Sequence, residues 1–598
     1  MATPSLNQKP KNWWMYHGDQ EHSGYINDSN INSGNVDTLE ILASLPLDGP
    51  VLSVPAIVDG IVYVGVANSH KAKSSNGGTF YKIDISTGDI LNSCTWSLDA
   101  DELGDSHGFY GMGCTPAVIN GMIYFSGFDG RVYCLNQEDL SLNWKINLRE
   151  ADPAYGQPIT NMKGTTQKTA VGPVDPITGK KKTFSPPAGW SSPLVVQQTI
   201  DGVEKSYVYV GIGEGENPYL YSFIFCLDGE TGHVIWIFCT NQFEKGRDNK
   251  VNELPTEVIK GELPPGYTLY NGNPVTKGSS VWSSIAYASE YNQIYACTGN
   301  PKPDSTLPSP GYSNGMISLK ADTGAFVANF QPPIISSYRP SDLDIDIGAS
   351  PTVFERPDIY NALPGTNPSI AKKVVGIGAK NGSYFVLDAS NLNLLNWRQL
   401  LPYYNNGLQI PTVDPHSPSL LPNPRVTNAE SNATMAENYH GTYSCAAIDP
   451  VSQSLFIGLG GSNYNSVAPG IDYETTPFMR AFNMEALNDI WPFDNHDPKR
   501  YAKSTPPMYT NPGECGLSSP AVVNDVVFCS TSHISLYAFK VSDGTKLWGS
   551  NLGSQTAGYN GGYGYCMGPA VWGDYVVAGA LILGSTGGVL NIYKLPEN

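Results

Sequence analysis

The stretch CLDGETGHVIW, residues 226 to 236, contains the structural unit that recurs along this chain. An apolar segment leads into a turn with Asp228, Thr231 and Gly232, and a second apolar segment ends in Trp236. Short polar side chains hydrogen-bond the local main chain in turns, and Gly accepts the positive φ angles that many turns need. The stretch therefore predicts a β-hairpin whose second strand ends in a tryptophan.

Related hairpins occur throughout the sequence. They end in an aromatic residue at Trp96, Trp144, Trp236, Phe330, Trp397, Trp491 and Trp548. A second element, an apolar strand bounded by turn residues, precedes most of them. Its eight copies are DGIVYVG (59–65), NGMIYFSG (120–127), SYVYVGIG (206–213), NQIYACTG (292–299), KKVVGIGAKNG (372–382), QSLFIGLGG (453–461), NDVVFCS (524–530) and GDYVVAG (573–579).

These two elements together describe one four-stranded antiparallel sheet. A single sheet of this size cannot cover both of its faces, so such sheets stack as the blades of a ring. Eight copies in 598 residues give roughly 75 residues for each blade. The sequence therefore predicts an all-β, eight-bladed propeller, with residues 1–598 as one domain and no cytochrome domain.

The eighth copy has no tryptophan hairpin after it, because the chain ends at GGVLNIYKLPEN (587–598). We expect the apolar segment LEILASLPL (39–47) to pair with this C-terminal strand and complete the last blade. Closing the ring in this way removes the unpaired sheet edges that promote aggregation.

Composition limits the classes of partner. The chain has 35 Lys and Arg against 54 Asp and Glu, a formal charge of -19, and no basic run that could follow a phosphate backbone, which argues against a nucleic-acid partner. No stretch of 18 apolar residues predicts a membrane span. The 10 Cys form no CxxC or CxxCH motif, which excludes a recognisable zinc ribbon and an attached c-type haem.

The sequence is compatible with more than one cellular compartment. The first residues, MATPSLNQKPKNWW, contain neither an apolar signal core nor a cleavage site. Either the protein is cytoplasmic, or it is periplasmic or secreted and a signal peptide has been removed. The scattered cysteines next to apolar residues favour buried thiols, with room for one or two disulfides.

An acidic pattern in SDLDIDIGASP (341–351) indicates a metal site. Asp342, Asp344 and Asp346 alternate with apolar residues, so an extended strand would place all three carboxylates on one face. Carboxylates crowded in this way raise one another's pKa unless a cation lies among them. Ca²⁺ takes six to eight oxygen ligands, including Asp, Glu and Asn side chains. The alternative is a solvated strand at the rim.

The D-x-x-T-G-x-x-x-W hairpin, repeated around eight blades, resembles the hairpins of the quinoprotein alcohol dehydrogenases, propellers that bind pyrroloquinoline quinone (PQQ). The segment NWWMYHGDQEHSGY (12–25) is similar to their opening segment, most nearly that of the polyvinyl alcohol dehydrogenase branch. This resemblance covers essentially the whole chain. A shared repeat implies a shared fold, and activity has to be argued from individual residues.

The most specific part of the resemblance lies in VWSSIAYASEYNQIYACTGNP. In this family a Trp forms the floor under the quinone, and the Asn of a TGNP turn binds the metal. Trp282 and Asn300 have the family's spacing, 300 - 282 = 18. The alternative for Trp282 is an ordinary core aromatic, and for Asn300 an ordinary turn.

Three further residues carry the resemblance. The ending D-x-G-A-S-P aligns Asp346 with the catalytic aspartate, which is also a metal ligand. GIGEGENPYLYSFIFCLDGETG (211–232) resembles the segment that supplies a metal-binding glutamate, with Glu216 favoured and Glu214 as the alternative. Lys380, in GAKNGSYFVLD (378–388), occupies the place of the basic residue that binds the quinone oxygens.

The resemblance implies calcium rather than a lanthanide. Lanthanide-dependent members carry an Asp two positions after the catalytic one, where this chain has Gly348. The chain also departs from the methanol-oxidising branch, which has two adjacent cysteines over the quinone. The corresponding region, HGFYGMGCTPAV (107–118), has Cys114 alone.

The implied activity is PQQ- and Ca²⁺-dependent oxidation of a small-molecule or polymeric alcohol. Asp346 would accept the hydroxyl proton, and Ca²⁺ would polarise the quinone carbonyl. With no haem motif in this chain, electrons would pass to a separate acceptor such as a cytochrome c. The competing interpretations are a non-catalytic propeller that acts as a binding or assembly scaffold, and an enzyme that has lost PQQ and uses the central pocket for another reaction.

Overall fold

The structure is a computed structural model of the full chain. The structure describes residues 10–69, 76–97, 109–128, 130–148, 170–174, 181–184, 190–200, 202–212, 222–240, 269–270, 273–274, 280–299, 312–332, 347–356, 373–379, 383–399, 404–405, 408–409, 442–459, 479–491, 518–531, 535–551, 564–565, 568–582 and 587–597.

Eight antiparallel sheets account for most of these residues, which confirms the predicted all-β propeller. Strands are numbered first to fourth within each blade, in pairing order. Blade 1 has Ala56–Val58, Ile61–Gly65, Asn76–Asp84 and Ile90–Ser97; blade 2 has Ala117–Ile119, Met122–Ser126, Arg131–Asn136 and Leu142–Asn147. Blade 3 has Leu194–Ile200, Val203–Ile212, Phe223–Asp228 and Val234–Cys239; blade 4 has Ala286–Ala288, Gln293–Thr298, Gly315–Lys320 and Phe326–Phe330.

The remaining blades follow the same order. Blade 5 has Thr352–Glu355, Lys373–Gly378, Ser383–Asp388 and Leu394–Gln399; blade 6 has Ala447–Asp449, Ser454–Gly458 and Met479–Asn483. Blade 7 has Ala521–Val523, Val526–Thr531, Ser535–Lys540 and Lys546–Asn551; blade 8 has Pro569–Trp572, Tyr575–Ile582, Gly588–Lys594 and Glu40–Leu47. In the described part of blade 6, a single bridge between Phe482 and Asp489 stands in place of a fourth strand.

Short elements complete the described structure. Two-stranded pairs form between Ala67–Ser69 and Phe109–Gly111, Ala170–Val174 and Lys181–Phe184, Leu269–Tyr270 and Asn273–Pro274, and Tyr404–Asn405 and Leu408–Gln409. Gly564–Tyr565 pairs with the second strand of blade 8, Tyr25–Ile26 with the first strand of blade 7, and Val36–Thr38 forms a 3-10 turn. The described residues contain no helix with the length and apolarity that crossing a membrane requires.

The ring closes as predicted. Glu40–Leu47 pairs antiparallel with Gly588–Lys594, with Leu45 opposite Leu590. The last blade therefore takes its outer strand from the N-terminal part of the chain, and the C-terminal strand pairs on both sides. First strands of most neighbouring blades contact one another, including those of blades 8 and 1. These strands form the wall of a central channel.

Each tryptophan hairpin joins one blade to the next. The indole N–H of Trp236, in blade 3, donates to Ala321 O of blade 4 at 3.0 Å. The same contact is made by Trp144 to Gly229 O of blade 3 at 3.0 Å and by Trp491 to Val541 O of blade 7 at 2.8 Å. In these three hairpins the tryptophan therefore packs between sheets and places its only polar atom on a turn of the next blade, whereas the indole nitrogen of Trp397 is buried and has no hydrogen-bond partner among the described residues.

The turn after the third strand contains a residue with a left-handed backbone in blades 2 to 7. Gly232, Gly324 and Gly544 have φ between +66° and +73°, and a Cβ at any of them would meet the tryptophan of the preceding blade within 2.8 Å. Blades 2, 5 and 6 have Leu140, Leu392 and Leu487 here, with φ of 56° to 60°. Burial of these leucines offsets the strain of the left-handed conformation, about 1–2 kcal/mol for a residue with a Cβ.

Residues 13–26 cross the channel and hydrogen-bond to the first strands in turn. Trp13 exchanges two backbone hydrogen bonds with Ile57 of blade 1, and Trp14 O accepts from Val118 of blade 2. Further along, backbone oxygens of this segment accept from the first strands of blades 4 to 7. In these four hydrogen bonds the backbone N–H groups donate over 2.7–2.9 Å: Tyr287 to Gln20 O, Val353 to Glu21 O, Ile448 to Ser23 O and Val522 to Gly24 O.

Side-chain hydrogen bonds connect the same segment to the two remaining blades, 3 and 8. Gln20 Nε2 donates to Val195 O of blade 3, and Trp572 of blade 8 donates from Nε1 to Asn12 Oδ1. The segment that resembles the opening of the quinoprotein dehydrogenases is therefore a channel element in contact with every blade. We refer to residues 12–26 as the channel segment.

The turn geometry gives a stability prediction. Gly324→Ala places a Cβ 2.6 Å from the Trp236 ring at φ +66°, whereas Gly121→Ala has φ +77° with nothing within 4 Å. We expect about 1–2 kcal/mol of destabilisation from backbone strain in both variants, and a further ~1–3 kcal/mol from overpacking in Gly324→Ala alone. Thermal unfolding midpoints measure the difference; equal midpoints for the two variants would contradict this role of the turn.

Candidate functional site

One end of the channel collects the segments that carry the predicted site residues. Within each blade the first and second strands are antiparallel, so residues before the first strand lie beside residues after the second. In blade 4, Gly299 donates from its backbone to Ser280 O at 2.9 Å. In blade 3, the Gly211 N–H donates to Ser191 Oγ at 3.2 Å. We call this end of the channel the site end.

Trp282 lies at the site end, four residues before the first strand of blade 4, which begins at Ala286. Its side chain is partly exposed, whereas its neighbours Val281 and Ser283 are buried. Trp144 and Trp548 are also partly exposed and pack against the core, so the partial exposure of Trp282 is compatible with both the quinone floor and the core aromatic. Its ring centroid is 6.0 Å from that of Tyr443, a residue of blade 6, with the two planes inclined by 48°.

The other predicted site residues fall outside the described residues. The chain leading to each of them is nevertheless described up to Gly299, Ala379 and Ile212, and resumes after one of them at Ile347. Gly299 and Ala379 directly follow the second strands of their blades, Ile212 ends the second strand of blade 3, and Ile347 precedes a first strand. The undescribed predicted residues are Asn300, Lys380, Glu216 with its alternative Glu214, and Asp346.

A row of hydroxyl groups joins the blades beneath the site end. The backbone N–H of Thr115 donates to Ser192 Oγ at 3.0 Å, that of Ser192 to Ser284 Oγ at 3.2 Å, and that of Ser284 to Ser350 Oγ at 2.9 Å. Farther around the ring, Cys445 N donates to Ser519 Oγ at 3.1 Å. Each bond runs from one blade to the next, so residues close to Trp282 and Asp346 in sequence are fixed relative to each other.

Tyr16 of the channel segment lies against this row. Its hydroxyl is 3.1 Å from Ser519 Oγ and also hydrogen-bonds with Ser350. Burial raises the pKa of Tyr16, so the phenol stays neutral and can donate one of these bonds. Tyr16 therefore connects blade 5, where Asp346 lies in the sequence, to blade 7.

Two buried histidines occupy the same segment. His17 has its two ring nitrogens 2.7 Å from His22 O and from Pro520 O. His22 Nδ1 is 2.8 Å from Pro351 O, and no described residue hydrogen-bonds its Nε2. Burial lowers the pKa of both histidines, that of His22 to about 3, although the carbonyl contacts and Asp19 oppose the shift. The His22 ring is therefore neutral at pH 7.

The described residues at the site end suit a planar polar group. Ser280 Oγ, Ser53 Oγ and Thr531 Oγ1 are buried and have no hydrogen-bond partner in the described part of the chain. Buried polar atoms normally have partners, so these oxygens leave hydrogen-bonding capacity for a bound group. The partly exposed Trp282 ring offers a flat apolar face. A fused-ring quinone with polar substituents fits both features.

The metal ligands are not tested by the described residues. Among the residues with described positions, no cluster of three or more His, Cys, Asp or Glu side chains could hold a metal ion. The three predicted ligands, Glu216, Asn300 and Asp346, all lie outside that part of the chain. The calcium site thus stays a prediction.

Cys114 occupies the region where the methanol-oxidising branch has its cysteine pair. Its thiol is buried, donates to Ser126 O at 3.2 Å, and has its pKa raised to about 11 by burial. It is therefore a structural thiol. Cys134, Cys226, Cys297 and Cys445 are also buried thiols, whereas Cys529 is disulfide-bonded, which agrees with the predicted mixture.

Sequence reasoning missed Tyr443 and Tyr16. Tyr443 precedes the first strand of blade 6 by the same number of residues as Trp282 precedes that of blade 4, which the paired motifs WSSIAYA (282–288) and YSCAAID (443–449) would have shown. The contacts of Tyr16 join residues more than 300 positions apart. No local sequence pattern indicates them.

Known proteins similar to this chain are dehydrogenases. The dehydrogenase subunit of the quinone alcohol dehydrogenase of Acetobacter aceti is 24% identical over 421 residues, which cover 67% of this chain and 47% of that protein. The quinohemoprotein alcohol dehydrogenase of Comamonas testosteroni is 23% identical over 577 residues, or 90% of this chain and 68% of that protein. The chain spans about half the length of the first curated relatives it matches. No family model matches it.

Solved structures agree on the fold. The crystal structure of the Comamonas testosteroni quinohemoprotein alcohol dehydrogenase superposes with a TM-score of 0.62 and 17% identity, over 98% of this chain and 82% of that one. A europium-containing methanol dehydrogenase gives 0.61 and 15% identity, over 99% of both chains. These likenesses confirm the eight-bladed propeller, and the sequence matches confirm that the homologues are quinoprotein and quinohemoprotein alcohol dehydrogenases.

Burial of His22 predicts acid sensitivity. The unfolded chain binds a proton at a pKa near 6.5 and the folded His22 only at about 3, so between these pH values the unfolded state holds more protons. The free energy of unfolding should therefore fall by about 1.4 kcal/mol for each pH unit below 6.5. We expect His22→Gln to reduce this slope and exposed His233→Gln to retain it, in thermal unfolding followed from pH 7 to pH 5. Equal slopes for the two variants would contradict the assignment.

Proposed function

We propose that this chain, a homologue of the quinoprotein alcohol dehydrogenases, is itself a PQQ- and Ca²⁺-dependent alcohol dehydrogenase. The observation that carries the proposal is the position of Trp282. Its ring is partly exposed at the site end, next to the Ser280–Gly299 hydrogen bond that directly precedes Asn300 in the sequence. A flat ring at the family's spacing from the TGNP turn supports its role as the quinone floor.

Each site residue has a defined task in this proposal. Bound PQQ would supply the redox chemistry by accepting a hydride, with Ca²⁺ as a Lewis acid. Trp282 would hold the quinone ring by stacking, and Lys380 would stabilise negative charge on the quinone oxygens. Asp346 would accept the proton of the substrate hydroxyl as general base.

Calcium would be held by side-chain oxygens of Glu216, Asn300 and Asp346. Carboxylate and amide oxygens are the ligands that Ca²⁺ prefers. Gly348, two residues after Asp346, has no side chain with which to ligate an ion. The lack of a carboxylate at position 348 supports calcium over a lanthanide as the bound ion.

The partners follow from the reaction. The substrate would be a small-molecule or polymeric alcohol, and electrons would pass to a separate acceptor such as a cytochrome c. Substrate would enter from the site end, because the channel segment crosses the channel with hydrogen bonds to its wall. The disulfide at Cys529 supports an oxidising compartment such as the periplasm, since disulfides persist mainly there.

Titration with PQQ tests the proposal. We expect PQQ binding, followed by absorbance and calorimetry, to require Ca²⁺, and Asp346→Ala to weaken it roughly hundredfold or more because a calcium ligand is lost. Trp282→Leu should weaken it as well. Asp322→Asn, at an exposed turn of blade 4, provides the matched control and should bind as the wild type does.

Binding by the wild type should be accompanied by oxidation of primary alcohols with an artificial electron acceptor, and both should vanish with a calcium chelator. Absence of PQQ binding with Ca²⁺ or a lanthanide would reject the proposal and favour a non-catalytic propeller or an enzyme without PQQ. Binding that persists unchanged in Asp346→Ala would reject the assigned metal site.

A further inference from the structure

We propose that Tyr16 is a positioning residue of the proposed active site. Its hydroxyl replaces a hydroxyl that blade 6 lacks, and it thereby holds the segment that leads from Asp346 into blade 5. This inference rests on the function proposed above and adds to it a residue that acts through its neighbours.

The hydroxyl groups beneath the site end share one position in their blades. Each belongs to the residue two places before a first strand, and we call this set the serine row after its commonest member. From blade 2 to blade 7 its members are Thr115, Ser192, Ser284, Ser350, Cys445 and Ser519. In this run, blade 6 is therefore the blade with a thiol in place of a hydroxyl.

The thiol of blade 6 interrupts the hydrogen bonds of the row. In blades 3, 4 and 5 the row hydroxyl accepts from the backbone N–H of the preceding member, at 2.9–3.2 Å. Sulfur is a weak acceptor, and Cys445 Sγ instead lies 3.1 Å from Thr352 Oγ1 and 3.7 Å from Pro351 O. A connection between the side chains of Ser350 and Ser519 therefore needs a hydroxyl from elsewhere.

The Tyr16 hydroxyl makes that connection. It lies 3.1 Å from Ser519 Oγ and also hydrogen-bonds with Ser350. A phenol can donate one hydrogen bond and accept another, so Tyr16 can satisfy both serines at once. It therefore joins blade 5 to blade 7 past the blade that carries the thiol.

Two histidines of the channel segment support the same contact. Each serine that Tyr16 joins is followed by a proline, and the carbonyl of that proline meets a histidine. His22 Nδ1 is 2.8 Å from Pro351 O, and His17 Nε2 is 2.7 Å from Pro520 O. The Tyr16 ring packs edge-on against His22, with centroids 4.9 Å apart. Each Ser-Pro pair is therefore held by two polar contacts from one short segment.

Ser350 is the residue through which Tyr16 reaches the proposed site. Its Oγ accepts from the Ser284 N–H at 2.9 Å, and Ser284 lies two residues after Trp282. Along its own chain, Ser350 lies four residues after Asp346. Misplacing a reacting group by about 1 Å can cost roughly a hundredfold in rate, so the proposed base and the quinone floor need a common anchor of this kind.

Tyr16→Phe removes the hydroxyl alone and tests the inference in the full chain. At saturating PQQ and Ca²⁺ we expect kcat to fall about tenfold and KM for the alcohol to stay within about twofold, because the base is displaced while substrate binding is retained. Since Asp346 is also a proposed calcium ligand, calorimetry with PQQ present should show weaker Ca²⁺ binding. Tyr63→Phe is the matched control: its hydroxyl bonds Gln137 between blades 1 and 2, and kcat and Ca²⁺ affinity should remain those of the wild type.

A second substitution separates positioning from a general disturbance of the fold. Cys445→Ser restores a hydroxyl to blade 6, and the Cys445 N–H already donates to Ser519 Oγ at 3.1 Å. Added to Tyr16→Phe, it should return kcat to within about threefold of the wild type, because the row is again continuous from blade 5 to blade 7.

The outcomes distinguish this inference from the proposed function. A merely structural role would lower the thermal midpoint of Tyr16→Phe and leave kcat of the folded protein unchanged. Wild-type kcat and Ca²⁺ affinity in Tyr16→Phe, beside an active wild type, would overturn this inference alone, as would a loss that Cys445→Ser does not restore. Failure of the wild type to bind PQQ would overturn the proposed function and this inference with it.

Discussion

The structure depends on the hydrogen bonds between the channel segment and the first strands of the blades. A first strand pairs with its own second strand on one side only, so its other edge presents unpaired N–H and C=O groups to the channel. Buried backbone groups need partners, and one irregular segment supplies them around the ring, from Trp13 at blade 1 to Gly24 at blade 7. The tryptophan hairpins then join the outer parts of neighbouring blades. The blades are therefore held together both at the central channel and at their outer strands.

This arrangement makes the two ends of each blade unequal. The channel segment passes the middle of the first strands, while Tyr16 reaches Ser519 and Ser350 at the site end. The same serine row holds the residues that flank Trp282 and Tyr443. A rigid wall of this kind can present a flat ring and several hydrogen-bonding oxygens in fixed positions, which is the preorganisation that binding a cofactor requires.

Much of the fold follows from local pattern. The eight apolar copies, from 59–65 to 573–579, form second strands of the blades, and the pairing of residues 40–47 with 588–594 was expected from the missing last hairpin. The structure also shows features that local sequence patterns do not predict. Leu140, Leu392 and Leu487 take a turn position that glycine would be expected to fill, because burial in the adjacent blade offsets the strain. Trp282 was expected from its spacing to Asn300, whereas Tyr443 and Tyr16 act through contacts between distant blades. The remaining site residues, Glu216, Asn300, Asp346 and Lys380, stay predictions.

The central claim is that the site end holds a quinone against Trp282. A crystal structure of the protein grown with PQQ and Ca²⁺ tests it most directly. The account predicts electron density for the quinone with its ring stacked on Trp282 at the site end, and for an ion bound by Asn300 and Asp346. Quinone density elsewhere on the protein, or a site end that contains only solvent at saturating PQQ, would contradict the account.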